Sequence, residues 1–442
     1  MAVCNAAIVA SRTGARAGWV HSNLPPRVGW GFLRRARVLY CSNGSKGAIV
    51  LEQDFSSAVL TEEQRELQAL AREFAMKEVL PVANELDPVG GEIPDDLKAK
   101  MAEMGFFGIM IPEEHGGLGL GALEYCIIAE ELSRAWMSVG SLIARGNSIN
   151  SGFTDEQRAE LLPRVASGEL LSAIAISEPE AGSDVANISC RATKDGDEWV
   201  ITGTKMWCTY ADGADYLIVY ARTSPPPSPD KRHRGVSAFF IPKERGTLPD
   251  GVTGTKVRKI GYRGWSTWEL SFDGLRLPAD ALVGREDHAF PTIMEFLDVA
   301  RAHTAARSIG LARGALEDAL DYAKVRSQFG HPIGDFQAIR FKLATMASQV
   351  EQARQFMYSV CQRIDSGERA SVPASMLKYL ASEMAEQVTS EALQVLGGAG
   401  YTTDFAVERY WRDARLTKIF EGTSEIQQRI ISDALLGRPS PS

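Results

Sequence analysis

The sequence predicts an α+β protein in three parts: a helical block, a small β domain, and a second helical block that packs as a four-helix bundle. Two changes of hydrophobic period carry this prediction. Apolar residues recur every three to four positions up to about Gly168, alternate with a period near two from Leu171 onward, and return to helical spacing from about Pro291. The parts are drawn at 58–170, 171–288 and 289–438. Composition supplies the third observation. With 45% hydrophobic and 24% charged residues in 442, and no uninterrupted apolar run as long as a membrane helix, the chain reads as soluble and large enough for two or three packed domains.

Residues 1–48 have a different chemistry. Arg12, Arg16, Arg27, Arg34, Arg35, Arg37 and Lys46 are basic, and the first acidic residue is Glu52. Arginine-rich, acid-poor and without a continuous apolar core, this stretch reads as a transit peptide, addressed to the mitochondrial matrix in preference to a plastid. Without those basic residues the remainder carries 41 Lys+Arg against 56 Asp+Glu, a net charge of about −15. Such a chain is not expected to bind nucleic acid through a basic surface. The cysteines (Cys4, Cys41, Cys126, Cys190, Cys208 and Cys361) show no C-x-x-C spacing, and the six histidines are scattered, so reduced thiols and no metal site are expected.

In the first block, Thr61 followed by Glu63 and Gln64 reads as an N-cap, and Leu67, Leu70, Ala71, Phe74 and Ala75 mark one helix face. Gly116-Gly117-Leu118-Gly119 makes a turn, after which Tyr125, Ile128, Leu132 and Arg134 resume the helical pattern. In the β domain, strands are expected at 198–203, 216–221, 236–242 and 268–272, where β-branched and aromatic residues lie between Gly, Asp and Pro. Ser224 to Asp230, with four prolines, and the basic run Lys231 to Arg234 form an exposed loop. In the last block, Leu297, Ala300, Thr304, Ala305, Ile309, Ala312, Leu316 and Ala319 mark one face of a long helix, and Leu343, Met346, Ala347 and Val350 mark the next.

One stretch suggests chemistry by itself. Ile419-Phe420-Glu421-Gly422-Thr423-Ser424 puts a lone carboxylate between an aromatic and a flexible glycine. A base that takes a proton from carbon needs such a place. Phe420 would raise the carboxylate's proton affinity by keeping water away, and Gly422 would allow backbone and substrate to approach closely. The plain alternative is an ordinary glutamate at a helix start.

Five motifs then occur in one order: Ser177-Glu178-Pro179-Glu180-Ala181-Gly182-Ser183-Asp184, Gly203-Thr204-Lys205-Met206-Trp207, Arg326-Ser327-Gln328-Phe329-Gly330, Gln394-Val395-Leu396-Gly397-Gly398 and Phe420-Glu421-Gly422-Thr423. Together they resemble the acyl-CoA dehydrogenase family over roughly residues 58 to 438. The resemblance implies that family's fold (an N-terminal helical domain, a middle β-barrel-like domain and a C-terminal four-helix bundle), bound FAD and a homotetramer. It also implies desaturation of an acyl-CoA between Cα and Cβ, with electrons passed to electron-transfer flavoprotein.

The resemblance assigns roles position by position. Glu421 matches the catalytic base, whose own backbone amide and a ribityl hydroxyl of FAD would hold the thioester oxygen. Trp207 and Thr209, two apart in a strand and so on one side, match flavin contacts. A stacking surface and a hydrogen-bond donor are what a flat redox ring needs. Ile176, Ser177, Gly182 and Ser183 lie in the turn after the first β-domain strand and serve the ring edge, Ser183 also the acyl-CoA. Arg326 and Phe329, at a helix end, and Gln394, Gly397 and Gly398 would reach the FAD of a neighbouring subunit, and Thr423 and Glu425 complete the cofactor set. Phe420, Gly422, Asp298, Arg301 and Arg145 are the remaining substrate contacts, with an intrahelical ion pair as the alternative for Asp298 and Arg301. Some relatives carry the base immediately before the arginine of that helix. Here that position is Ala300, which leaves Glu421.

Departures from the family pattern concern the substrate, except Glu180, which adds negative charge near the flavin side. Glu180 and Tyr210 replace residues that are usually small or amide-bearing, the segment from Arg145 to Ile149 is followed early by Thr154-Asp155-Glu156-Gln157, and Trp265 and Trp268 stand where relatives are small or polar. A short or branched acyl-CoA is the leading expectation. A short dicarboxylyl-CoA, as in methylsuccinyl- or glutaryl-CoA dehydrogenases, follows if Arg145 is buried at the acyl tail's end, although Gly140-Ser141 stands where glutaryl enzymes carry their carboxylate-binding arginine. An acyl-CoA oxidase and a non-catalytic member of the family are the rival readings.

Overall fold

A computed structural model describes residues 59–147, 152–228 and 231–437. The transit-peptide reading, Ser148-Ile149 and the C-terminal Arg438 to Ser442 lie outside the described residues.

The N-terminal block begins with α1 (Glu62–Phe74), which runs through a π-helical turn at Ala75–Val79 into α2 (Leu80–Leu86). Thr61 caps α1 as expected: its hydroxyl accepts from the Gln64 amide while the Gln64 side chain accepts from the Thr61 amide. There follow α3 (Asp95–Glu103), α4 (Ala122–Ala135), α5 (Met137–Leu142), α6 (Ala144–Asn147) and α7 (Asp155–Ala166), the last closed by the same reciprocal cap from Thr154 and Gln157. Helix α4 is buried along nearly its whole length, as a helix enclosed by other elements must be.

The period-two region forms β1 (Ser172–Ala175), β2 (Arg191–Asp195), β3 (Glu198–Thr209), β4 (Tyr216–Arg222), β5 (Val236–Pro242), β6 (Val252–Lys256), β7 (Thr267–Pro278) and β8 (Leu282–Val283). They build one mostly antiparallel sheet in the order β6-β7-β3-β2-β4-β5-β8, with β1 parallel to β4. The four expected strands are present, and β3 and β7 are each longer than alternation suggested. In β3 the ladder to β7 slips between Lys205 and Cys208, and Trp207 sits in the slip with φ +63°. Simple alternation therefore does not set the direction of Trp207. A β-bulge does, leaving Trp207 and Thr209 on either side of the buried Cys208.

The C-terminal block holds α8 (Ala289–Val325), a tight hairpin of β9 (Ser327–Gln328) and β10 (His331–Pro332), then α9 (Gln337–Asp365), α10 (Ser371–Leu396), α11 (Val407–Thr417) and α12 (Ser424–Leu436). At 37 residues, α8 spans about 55 Å and is the axis of the molecule. It packs on α4, α9, α10 and α11 through a face of small residues including Ala302, Ala305, Ala306, Ala312 and Ala319. At Gly310 a methyl group would meet the Glu130 carbonyl oxygen of α4 at 2.3 Å, so only glycine permits this crossing. Through these contacts one continuous apolar core runs from the first helical block to the last.

Candidate active site

The loop between α11 and α12 presents Glu421 in the left-handed region, φ +54°, followed by Gly422 at φ +90°. A glutamate held there costs of order 1–3 kcal/mol and persists only when its surroundings fix it. Two groups do so from below. Lys378 of α10, wholly buried, donates to the Gly422 carbonyl at 2.6 Å, and the Gln427 amide donates to the same oxygen at 3.0 Å. A side chain at position 422 would meet the Gln427 nitrogen at 2.6 Å, so glycine here serves the loop's own packing. Burial draws the Lys378 ammonium down to about 8, with Glu421 acting to hold it up.

The Glu421 carboxylate is held from α8. Arg307 Nη2 donates to its Oε2 at 2.6 Å, the Thr304 hydroxyl donates to the same oxygen, and Arg307 also reaches the Thr304 hydroxyl at 3.0 Å and the Ser141 hydroxyl at 2.8 Å. The Arg307 guanidinium lies 4.7 Å from the centre of the Phe420 ring. His303, one turn before, stacks on Tyr125 at 4.6 Å. Its Nε2 lies 3.0 Å from the Gly140 carbonyl, to which it can only donate. Burial, with Arg307 adding to it, depresses this imidazole to about 3, so it is neutral.

This changes the electrostatics expected at Glu421. Burial pushes its carboxyl up, as Phe420 suggested, but Arg307, first by charge and then with Thr304 by hydrogen bonding, outweighs that and leaves it below the ordinary carboxylate value. The accessible 36% of the side chain belongs to a group enclosed on most sides, whose opening is a cavity. That cavity, of about 780 Å³, is lined by Glu421, Arg307, His303, Tyr125, Tyr262 and Ser141 together with Ile218, Tyr220, Ala238, Pro291 and Phe296. Arg145, Ile176, Leu297 and Ala300 also line it. Ala300 brings no second carboxylate, as the sequence indicated.

The other predicted residues fall into two groups. Ile176 and Ser177 follow β1, and the Met206 amide binds the Ser177 carbonyl at 2.8 Å, so this turn lies beside the bulge that carries Trp207. The indole of Trp207 is 57% exposed, and Thr209 is half-buried with its hydroxyl on Thr267 at 3.1 Å. Gly182 and Ser183 are exposed, and no atom lies within 4 Å of where a Gly182 side chain would begin. An exposed indole on a strained bulge, next to a turn that reaches the cavity through Ile176, fits a flat cofactor ring. Farther off, Arg326 caps the C-terminus of α8, Phe329 at φ +53° is 92% exposed, and Gln394, Gly397 and Gly398 are exposed around the end of α10. None of these lines the cavity of Glu421. Thr423 caps α12, accepting from the Ile426 amide at 3.3 Å, and Glu425 is exposed in its first turn.

Asp298 and Arg301 show the intrahelical ion pair that was the alternative to a contact with the CoA portion. They form an ion pair at 2.9 Å along α8, Asp298 also accepts from the Ser371 hydroxyl at 3.0 Å, and neither lines the cavity. Arg307, His303 and Lys378 carry no signal of a site role in the sequence, and Thr304 and Tyr125 read there only as helix-face residues. What Arg307 does signal is burial: an arginine in the midst of a small-residue helix face has to be answered by a buried partner.

A half-exposed, ionised carboxylate on a strained loop, opening on a mostly apolar cavity beside an aromatic platform, defines a flavoenzyme-type site for taking protons from carbon. Models of the acyl-CoA dehydrogenase N-terminal, middle and C-terminal domains match residues 61–169, 173–275 and 288–436. The (2S)-methylsuccinyl-CoA dehydrogenase of Cereibacter sphaeroides is 39% identical over 86% of this chain and 71% of its own length. The mitochondrial short-chain specific acyl-CoA dehydrogenase of Bos taurus is 38% identical over 86% and 92%. Among solved structures, a chain from work on the electron transferring flavoprotein of Acidaminococcus fermentans superposes with a TM-score of 0.80 at 36% identity, over 86% of this chain and 99% of that one. The chain belongs to the acyl-CoA dehydrogenase family, enzymes whose cofactor is FAD.

Proposed function

We propose that this protein catalyses the α,β-dehydrogenation of a short or branched acyl-CoA in the mitochondrial matrix and delivers the electrons to electron-transfer flavoprotein, acting as a homotetramer. The observation that carries the reading is Glu421, ionised and fixed by Arg307 and Thr304 at the wall of the cavity. A thioester carbonyl acidifies the carbon next to it, and Glu421 takes that proton as its neighbour Cβ loses a hydride. FAD, when bound, supplies the acceptor for that hydride. Arg307 and Thr304 orient the carboxylate, Lys378 and Gln427 hold the loop beneath it, and the apolar walls exclude water.

Trp207, Thr209, Ile176, Ser177, Gly182 and Ser183 would hold the flavin of this subunit. Arg326, half-buried, and the exposed Phe329, Gln394, Gly397 and Gly398 lie outside the cavity and would meet a cofactor bound mainly to another copy. The bovine mitochondrial relative and the arginine-rich, acid-poor residues 1–48 support the chain-length class and the matrix location.

Anaerobic titration of the yellow holoenzyme with a panel of acyl-CoAs tests the reading. Short or branched thioesters should bleach the flavin band. If no thioester does, the dehydrogenase assignment fails, and rapid reoxidation by air would make the protein an oxidase.

A further inference from the structure

The charges along the cavity do not balance. Glu421 is the one carboxylate among its described lining residues, and it is already engaged by Arg307 at 2.6 Å. Arg145, in the short helix α6, lines the same cavity and is half-buried. No acidic side chain among the described residues pairs with it. Its Nε is buried without a hydrogen-bond partner, and its guanidinium lies over the Trp265 ring, 5.2 Å from the centre. The hydroxyl of Tyr125, on the same wall, is likewise buried and without a partner.

A guanidinium taken partly out of water without a counter-charge is costly, and so is a buried hydroxyl with nothing to bond. Both costs vanish when a ligand brings an anion between them. The stack on Trp265 holds the arginine in place and leaves its N–H edge for that anion, because a ring face meets the cation's plane and uses none of its donors. A methyl-ended acyl chain would do the opposite, removing the remaining water from Arg145 and offering nothing in return.

Resting on the dehydrogenase reading, we propose that Arg145, with Tyr125, forms a carboxylate subsite in the wall of the acyl cavity, and that the substrate is a short acyl-CoA carrying a distal carboxylate. Glu421 and Arg145 then divide the work: one meets the carbon beside the thioester, the other meets the chain's own carboxylate. Preference for the carboxylated chain comes from the bond it makes and from the desolvated cation its neutral counterpart leaves behind.

Matched thioesters test this with the FAD-loaded enzyme. Methylsuccinyl-CoA and 2-methylbutyryl-CoA have the same branched skeleton, and glutaryl-CoA and valeryl-CoA the same straight one, differing in a terminal carboxylate against a methyl. In anaerobic flavin reduction, kcat/KM should favour the carboxylated member of at least one pair by about 10- to 100-fold, the usual worth of a hydrogen bond to a charged group. Arg145→Met should collapse that ratio toward one or invert it, and Arg145→Lys, which keeps the charge without the fork, should fall between. Flavin absorbance of each variant reports whether it has loaded cofactor, and Tyr125→Phe gives a second, smaller loss of the ratio where Arg145→Met does not load. A wild type that prefers the methyl-ended members, or an Arg145→Met enzyme that loses both members equally, overturns the subsite while leaving the dehydrogenase intact. If all four thioesters fail and so does the wider panel, it is the dehydrogenase reading that has fallen.

Discussion

Two buried charge clusters lie along the same helix, α8, and they are built on different terms. Near its C-terminal half, Arg313 meets Glu131 at 2.8 Å and Glu130 at 3.4 Å, Arg354 meets Glu130 at 2.8 Å, and Arg134 meets Glu317 at 2.7 Å and Asp318 at 3.3 Å. Arg72 adds a further contact to Glu317 at 3.1 Å. Every guanidinium there has a carboxylate and every carboxylate a guanidinium, and the group ties α1, α4, α8 and α9 together. Two to three turns toward the N-terminus, Arg307 and Glu421 make one such pair, but at the wall of a cavity also lined by Arg145, which has none among the described residues. A closed set of charges fixes one arrangement of helices. An open set has unspent capacity, and the place where it is open is where a ligand belongs.

Breaking each cluster should therefore fail in a different currency. Glu421→Gln should lower the rate of flavin reduction by roughly 10²- to 10⁴-fold, the range for a positioned base, while the protein folds and keeps its yellow colour, since an amide can still accept from Arg307. Stopped-flow reduction with the best thioester checks this, and a variant within tenfold of wild type would move the base elsewhere. Arg313→Met should do the reverse. Glu130 and Glu131, both wholly buried, lose a partner, at a cost of about 3–5 kcal/mol that shifts the urea midpoint, with flavin reduction per folded site little changed. The same change at Arg145, which has no carboxylate to orphan among the described residues, should leave the unfolding free energy within about 1 kcal/mol of wild type. Equal destabilisation by the two substitutions would erase the distinction between the clusters.

What could be read in the sequence was what the chain encodes locally. The Thr61 cap, the change of period at Leu171 and the length of α8 each depend on residues a few positions apart, and the structure has them. Glu421 was legible because its aromatic and glycine neighbours are adjacent to it. Its partner was not: Arg307 is 114 positions away, and within α8 it reads as an interruption of an alanine-rich face. The bulge at Trp207 escaped notice because a slip in pairing depends on β7, not on β3 alone. Asp298 and Arg301 were legible as an ion pair, since three-residue spacing on a helix offers each the other.

Arg307 gives the finest test of that long-range pairing. Glu421 works only as the anion, and Arg307 is the largest of the influences that hold it below the ordinary carboxylate value against burial, which alone would raise it. Removing the cation should raise the carboxyl's proton affinity. Activity that depends on the ionised form is lost as pH falls through that value, so the acid limb of the kcat/KM profile should move to higher pH in Arg307→Gln, and less so in Arg307→Lys. Near neutral pH the rate loss should be smaller than for Glu421→Gln, because the base is still present. A variant that is merely loosened would lower the whole profile without displacing its acid limb, and that outcome would reduce Arg307 to a packing residue.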